Sequence, residues 1–215
     1  MLKNNKFITK GILLLSLSIT LVSPATADTY TDLKLVTNKL IDADDSNLDK
    51  ILRNAEQGDT QNQILAGVIY QAGDAVKQDY KQAMNWYMKA AFSGDVKAQH
   101  LIGFLYDNGF GVKQDHEAAY EWFKRAADQG DPWSQIALSR GYYKGLGVEK
   151  DYAKAIEWAE KGAEQDHAVS QLLLGLYYAD ERTGLKDIEK SKKWVEASCR
   201  NGNDDACEYI LSASQ

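Results

Sequence analysis

Two neighbouring stretches of this 215-residue chain contain residue types that could do chemistry. Residues 109–115 read GFGVKQD, and a Gly-x-Gly turn followed by a lysine can wrap the phosphates of a nucleotide. His116 is followed by a glutamate, as in the motif that places two zinc-binding histidines on one helical face. Tyr120, however, stands where the second histidine belongs. Phosphate binding and zinc binding are therefore the two chemistries to test against the surrounding sequence.

The glycine-containing stretch is one copy of a repeat. Equivalent segments begin at residues 73, 109, 145 and 181, always 36 residues apart. A fixed period of this size indicates stacked repeats. A phosphate loop occurs once and follows a strand, whereas this loop recurs, so we expect no phosphate site. Other residues keep the same period: Tyr70, Tyr106, Tyr142 and Tyr178; Trp86, Trp122, Trp158 and Trp194; Gln63, Gln99, Gln135 and Gln171.

Each repeat predicts two helices, which we name helix A and helix B. In the second repeat, residues 95–109 form helix A and residues 115–130 form helix B. Asp115 is placed to cap the free N–H groups of helix B, and Gly130 follows the end of that helix, where a left-handed residue is expected. His116 then lies in the first helical turn, and His167 lies at another helix start, so neither is predicted to bind a metal.

The pattern of one unit is A-Q-x-x-L-G-x-x-Y-x-x-G-x-G-V-x-x-D-x-x-x-A-x-x-W-x-x-x-A-A-x-x-G. It resembles the SEL-one-like repeat (SLR), a relative of the tetratricopeptide repeat. Residues 98–130 match it nearly throughout, and the resemblance covers about residues 55–207. It implies an all-α, right-handed superhelical solenoid of 36-residue helix-turn-helix units. The third unit departs from the pattern at Ser139 and Gly141, and the fourth lacks both loop glycines.

The predicted organisation places four repeats between caps. A signal peptide comes first, then N-terminal capping helices, four repeats and a C-terminal half-repeat. A helix is expected within residues 30–41, and residues 48–58 align with the end of a helix B. The boundaries are 1–27, 28–58, 59–94, 95–130, 131–166, 167–202 and 203–215.

The first 27 residues predict export. Three lysines precede the uncharged apolar run Gly11 to Val22, and Ala25-Thr26-Ala27 has the small residues that a signal peptidase requires. We expect cleavage after Ala27, a periplasmic or secreted protein, and no stable membrane insertion, because the run is short for a membrane span. Losing three of 25 basic residues leaves 22 against 31 acidic ones, a net charge of −9. This charge disfavours nucleic acid and suits a basic partner.

Cys199 and Cys207 are the two cysteines of the chain. They lie eight residues apart on either side of a predicted turn, and in an exported protein that arrangement indicates a disulfide. The spacing is similar to that of the disulfides in secreted cysteine-rich SLR proteins. A redox or metal pair is the alternative, although no histidine is near in sequence to complete a metal site.

The positions that vary between repeats are the candidates for partner binding. In tetratricopeptide-like solenoids helix A lines the concave groove, so the variable stripe of helix A is expected to contact a protein or peptide. Two interpretations stay open for its aliphatic members, which could instead pack against helix B. Trp133 is a further candidate, because the repeat does not require tryptophan at that position, and Phe110 is another, because it lies at a loop tip beside Gly109. The stripe contains Ile64, Val68 and Gln71; His100, Phe104 and Asp107; Ile136, Arg140 and Tyr143; Leu172, Leu176 and Ala179.

These observations predict a non-enzymatic exported module that binds a protein or peptide, without a cofactor or a metal, and that is a monomer. A periplasmic adaptor is the main hypothesis, and an immunity protein against a delivered toxin or a host-directed secreted factor are alternatives. Some cysteine-rich SLR proteins have been linked to β-lactams, which makes a β-lactamase-like or cell-wall peptide hydrolase a further alternative. The Ser-x-x-Lys, Ser-Asp-Asn and Lys-Thr-Gly motifs of serine β-lactamases are absent from the sequence.

Overall fold

The computed structural model describes residues 33–35, 38 and 46–213. This part of the chain contains α-helices and one short 3-10 helix, and it contains no strand. The all-α prediction is therefore confirmed. The predicted signal peptide, its cleavage site and most of residues 30–41 lie outside the described residues, although residues 33–35 and 38 are helical.

The helices alternate between the predicted A and B types. Helices α2, α4, α6 and α8 are the A helices of the four repeats, and α3, α5, α7 and α9 are the B helices. Helix α1 precedes the repeats, α10 follows them, and the short 3-10 helix Glu181–Thr183 lies between α8 and α9. The bounds are α1 Ser46–Glu56, α2 Thr60–Ala72, α3 Tyr80–Phe92, α4 Val96–Asn108, α5 His116–Asp128, α6 Pro132–Lys144, α7 Tyr152–Ala163, α8 Ala168–Ala179, α9 Ile188–Arg200 and α10 Asp204–Ala213.

Side-chain caps begin these helices. The Asp115 carboxylate accepts from the backbone N–H of Ala118 at 2.9 Å, as predicted, and satisfies a donor that has no partner within the helix. His167, also predicted at a helix start, is the N-cap of α8, and its ring accepts from the N–H of Ser170. Six other aspartates cap α-helices in the same way: Asp59, Asp79, Asp95, Asp131, Asp151 and Asp187.

A left-handed residue follows the end of each helix from α1 to α7 and of α9, whereas α8 ends at Asp180, which is extended. Gly130 has a φ of 93°, which confirms its predicted role after the end of α5. Glycine adopts this conformation without the steric cost that a Cβ imposes. In the third repeat Asp166 occupies the same position and has a φ of 58°, the one positive value for a non-glycine residue among those described.

The described residues pack into two compact units. The N-terminal unit comprises residues 33–35, 38, 46–134 and 146–148, and the C-terminal unit comprises residues 135–145 and 149–213. The core of the N-terminal unit surrounds the buried side chains of Tyr87, Leu101 and Leu105. Leu172 and Val195 belong to a core cluster in the C-terminal unit.

Close contact between the A and B helices depends on a small residue in helix A. In the N-terminal unit, a Cβ on Gly103 would overlap the Phe123 ring. The third repeat has Ser139 at this position, and the residue in register with Phe123 is the smaller Ala159. The Ser139 hydroxyl is buried and donates to the Ala155 carbonyl oxygen at 2.7 Å, which satisfies the added polar group.

The two cysteines join the last two helices. Cys199 near the end of α9 and Cys207 in α10 form the predicted disulfide, with their Cα atoms 4.8 Å apart. This crosslink holds α10 against α9, and the two helices also pack on each other.

Candidate functional site

The variable stripe of helix A is only partly exposed. Val68, His100, Tyr143 and Leu176 are buried, so in this structure a partner would not reach them. The predicted partner contact of these four residues does not agree with their burial, because neighbouring helices cover them within each unit. The aliphatic members Ile64, Leu172 and Leu176 are buried in hydrophobic core clusters, so for them the packing interpretation holds. Partial exposure is found at Phe104, Asp107, Arg140 and Trp133.

His100 brings histidine, serine and aspartate together without forming a hydrolytic site. Its Nδ1 lies 2.8 Å from the Ser134 hydroxyl and 3.4 Å from the Asp131 carboxylate. A catalytic triad needs the acid and the nucleophile on opposite ring nitrogens, whereas here both face Nδ1. Nε2 has no hydrogen-bond partner among the described residues, and both His100 and Ser134 are fully buried. The arrangement is a polar contact within the core.

The Asp131 carboxylate belongs to the same buried contact. Burial raises the pKa of this carboxyl, but hydrogen bonds from His100 and Ser134 outweigh that effect and hold the pKa below its ordinary value. The Ser134 backbone N–H donates to this carboxylate at 2.7 Å, so Asp131 also caps the start of α6.

Three aromatic side chains form a partly exposed cluster in the N-terminal unit, which we call the aromatic cluster. Phe110 stacks on Tyr80 with ring centroids 4.9 Å apart and meets the edge of Phe104 at 5.7 Å. Phe110 is 36% exposed, and the other two are partly buried. A Cβ on Gly111 would overlap the backbone of Tyr80, so this loop glycine permits the approach. The Gly-x-Gly stretch thus positions the Phe110 ring against Tyr80.

A histidine–aspartate pair lies in the same segment as the aromatic cluster. The Asp107 carboxylate lies 2.8 Å from Nδ1 of His116, and each side chain is about one third exposed. His116, which begins the incomplete zinc motif, therefore contacts an aspartate at the end of α4. Among the described residues no group of three His, Cys, Asp or Glu side chains could hold a metal ion.

A second cluster, in the C-terminal unit, is polar, and we call it the tyrosine–arginine cluster. Tyr143 stacks on Tyr177 at 4.7 Å, and the Tyr143 hydroxyl donates to the carboxylate of Asp180. Arg182 binds the same carboxylate through Nε at 3.0 Å and donates from Nη2 to the Tyr143 hydroxyl at 2.6 Å. Tyr152 meets the edge of the Tyr143 ring at 5.2 Å.

Electrostatics in this cluster follow from burial. Burial raises the pKa of Tyr143 well above its ordinary value, and the Asp180 carboxylate raises it further. Burial also raises the pKa of Asp180, but hydrogen bonds from Arg182 and Tyr143 outweigh it, so that pKa is lowered. The Asp180 side chain is 7% exposed, and Arg182 supplies its counter-charge. The network therefore keeps an ionised carboxylate against a neutral phenol.

The two clusters are built at equivalent repeat positions. Phe104 is in register with Arg140, and Asp107 is in register with Tyr143. Phe110 is in register with Arg182, two repeats later. Sequence reasoning named Arg140 and Tyr143 but missed Asp180, Arg182 and Tyr152. The signal was the departure of the fourth loop from the glycine pattern of the other three.

These features define the class of protein as a helical-hairpin repeat protein. A family model for the Sel1 repeat matches residues 63–95, 96–131, 134–167 and 168–203. The chain therefore belongs to the Sel1 repeat family, which confirms the SLR resemblance and the solenoid fold class. Sel1 repeat proteins generally mediate protein–protein interactions and are typically non-enzymatic scaffolds.

Solved structures agree with this family. A Sel1 repeat protein from Oxalobacter formigenes is 26% identical with a TM-score of 0.71, over 91% of this chain and 86% of that one. A protective antigen of uropathogenic Escherichia coli with an SLR fold is 29% identical with a TM-score of 0.62. That match covers 82% of this chain but 47% of the antigen, so this chain spans about half its length. No curated protein matches the sequence.

The described helices are all short. Across residues 33–35, 38 and 46–213, none combines the length and the apolar character that a bilayer crossing requires.

Proposed function

We propose that this protein is an exported, non-enzymatic binding module that holds a protein or peptide partner against the aromatic cluster. The observation that carries the proposal is the set of contacting rings of Tyr80, Phe104 and Phe110 at the surface of the N-terminal unit. Aromatic side chains that are half in solvent are enriched at protein interfaces, because one rigid ring covers a large contact area. Membership of the Sel1 repeat family supports this class of function.

The chemistry of the cluster favours a partner segment that carries apolar and basic side chains. Asp107 and Glu117 lie in the segment that bears Phe104 and Phe110, and both are at least partly exposed. The predicted mature chain has a net charge of −9, which would raise the encounter rate with a basic partner. Trp133, also part-exposed, is a further contact candidate in this unit.

Export is part of the proposal. The lysines, the apolar run and Ala25-Thr26-Ala27 support a signal peptide that is removed after Ala27. The predicted product begins at Asp28 and functions as a monomer in the periplasm or outside the cell. N-terminal sequencing of the protein from a periplasmic fraction tests this, and an intact Met1 there would contradict it.

The binding proposal is tested by quantitative crosslinking in cells that express the full chain. Wild type is compared with a Phe104→Ala, Phe110→Ala double variant. The matched control is Phe92→Ala, which removes an equally large ring that is 84% exposed at the end of α3 and has no part in the cluster. We expect a partner captured by wild type and by Phe92→Ala, and at least about tenfold less of it with the double variant.

The identity of the captured protein assigns the role. A protein of envelope assembly supports an adaptor, whereas a delivered toxin supports an immunity protein, and a host protein supports a host-directed factor. Equal capture by all three chains would remove the aromatic cluster from the proposal. Hydrolysis of a chromogenic β-lactam by the purified protein would contradict a purely binding role.

A further inference from the structure

Among the residues that the structure describes, Arg140 carries a positive charge without an acidic partner. It lies part-buried on α6, one turn before Tyr143. Within the described part of the chain, no carboxylate forms a salt bridge with it and no acceptor receives its hydrogen bonds. A guanidinium presents five N–H donors in one plane, and satisfying them against a planar anion is the usual role of a part-buried arginine.

Arg182 adds a second cation to the same tyrosines. Its Nε and Nη2 are bound to Asp180 and Tyr143, yet its side chain remains 61% exposed. The centre of the guanidinium lies 5.6 Å from the Tyr143 ring centroid. The remaining Nη1 group has no hydrogen-bond partner among the described residues, so this arginine can still donate to an incoming group.

Both arginines act on the same stacked pair of rings. Tyr143 and Tyr177 are nearly parallel, with 7° between the planes, and Arg140 lies three residues before Tyr143 on α6, on the same side of that helix. Burial raises the pKa of the Tyr177 hydroxyl, and the Ser139 hydroxyl and the charge of Arg140 oppose that rise. Lys150 contributes a third cation, 5.9 Å from the ring of Tyr152. Arg182 and Lys150 therefore lie beside these tyrosine rings, and Arg140 lies one helical turn before Tyr143. Asp180 is the one carboxylate that the described contacts place inside the cluster.

We propose that the tyrosine–arginine cluster is a carboxylate-binding site that receives a carboxylate of a protein partner, with Arg140 as the residue that binds it. The cluster already recognises a carboxylate, since Asp180 accepts from Arg182 and Tyr143. Arg140, Arg182 and Lys150 place positive charge in this region of a chain that is acidic as a whole. An acidic group on a partner is therefore attracted to this region. The inference takes the ligand class from the proposed protein-binding function, but it concerns a surface separate from the aromatic cluster.

The test follows the Nε–Hε resonances of the arginines by NMR in the full mature protein at low salt. The probes are N-acetyl-tyrosine, which carries a C-terminal carboxylate, and N-acetyl-glutamate α-amide, which carries only a side-chain carboxylate. The neutral control is N-acetyl-glutamine amide. We expect saturable shifts of Arg140 and Arg182 with at least one acid and no saturable shift with the neutral amide. The acid that binds more tightly identifies the source of the carboxylate.

Substitutions assign the site to Arg140. Arg140→Gln is expected to weaken binding about tenfold or more, because a charge-assisted bidentate contact is lost. Arg140→Lys, which keeps the charge but not the planar donor set, should weaken it less. The matched control is Arg125→Gln, an exposed arginine that stacks on Trp122 in the N-terminal unit and should leave binding unchanged.

Several results would overturn the inference. These are an absence of saturable shifts with both acids, equal shifts with the neutral amide, or equal affinity in wild type and Arg140→Gln. Because the probes are small and the readout is local, a negative result here leaves crosslinking at Phe104 and Phe110 unaffected. Conversely, failure of that crosslinking would not alter the arginine shifts. The far-ultraviolet circular dichroism of each variant verifies that it is folded.

Discussion

The aromatic cluster and the tyrosine–arginine cluster occupy equivalent positions of one repeat but have opposite characters. In the N-terminal unit these positions hold Phe104 and Phe110, which contact each other and remain partly exposed. In the C-terminal unit they hold Arg140 and Arg182, around a buried phenol and carboxylate. The small, aromatic and capping residues that pack the helices thus recur from repeat to repeat. The positions that vary between repeats form two different surfaces.

Asp107 and Tyr143 occupy the same position of successive repeats, and we expect alanine substitutions at these two residues to differ most in their effect on stability. Tyr143→Ala removes a buried ring and leaves Asp180 without its phenol donor, so we expect a loss of about 3–5 kcal/mol in the free energy of unfolding. Asp107→Ala breaks a pair that is one third exposed and should cost less than about 1 kcal/mol. Urea unfolding of both variants measures the difference, and equal losses would show that the two clusters are equally structural.

The covalent link is confined to the C-terminal unit. A Cys199→Ser, Cys207→Ser double variant should lose about 2–3 kcal/mol, since the crosslink closes a small loop and restricts the unfolded chain. We expect the loss to appear as faster hydrogen exchange in α9 and α10. Exchange in α4 should not change, and faster exchange there would contradict a local effect.

Acid should weaken the tyrosine–arginine cluster. The folded pKa of Asp180 lies below the ordinary value of 3.8, so its ionised form stabilises the folded state above that pH. This contribution is lost as the pH falls through the folded pKa. Asp180→Asn should therefore cost about 1–2 kcal/mol at pH 7, and the gap to wild type should shrink below about pH 4. A gap that is constant from pH 7 to pH 3 would contradict the assignment.

The smallest effect on stability is expected at Asp166, which occupies a position that is glycine in the preceding repeat. Asp166 has the left-handed conformation that Gly130 has in the preceding repeat. Asp166→Val should cost about 1 kcal/mol, because a β-branched residue is strained there. Asp166→Gly should change stability by less than about 0.5 kcal/mol, since relief of strain and the greater freedom of the unfolded chain offset each other. Thermal unfolding of the two variants separates these outcomes.

Local features of the fold were predictable because the residues that start and end each helix lie within or next to that helix in the sequence. Asp115 was placed at a helix start from side-chain capping, and Gly130 after a helix end from its left-handed preference. His167 was placed at a helix start because it is in register with aspartates of the other repeats. The pairing of Cys199 with Cys207 followed from a short connection between neighbouring helices. None of these inferences required knowledge of distant contacts.

The burial of the stripe was not predictable from period alone. Helical spacing shows that His100 and Phe104 share a face, but it does not show which neighbouring helices cover that face. His100 is fully buried through contact with Ser134, which is 34 residues away. The link from Tyr143 to Asp180 spans 37 residues, so the second cluster becomes visible only when the helices are packed.

The central claim is that the aromatic cluster receives the partner, and hydrogen–deuterium exchange of the protein with and without the captured partner tests it most directly. We predict slower exchange in residues 80–82 and 109–118, at the N-terminal ends of α3 and α5 and in the Gly-x-Gly loop. The Phe104→Ala, Phe110→Ala double variant should lose this protection, and Phe92→Ala should retain it. Unchanged exchange in both segments at saturating partner would contradict the account.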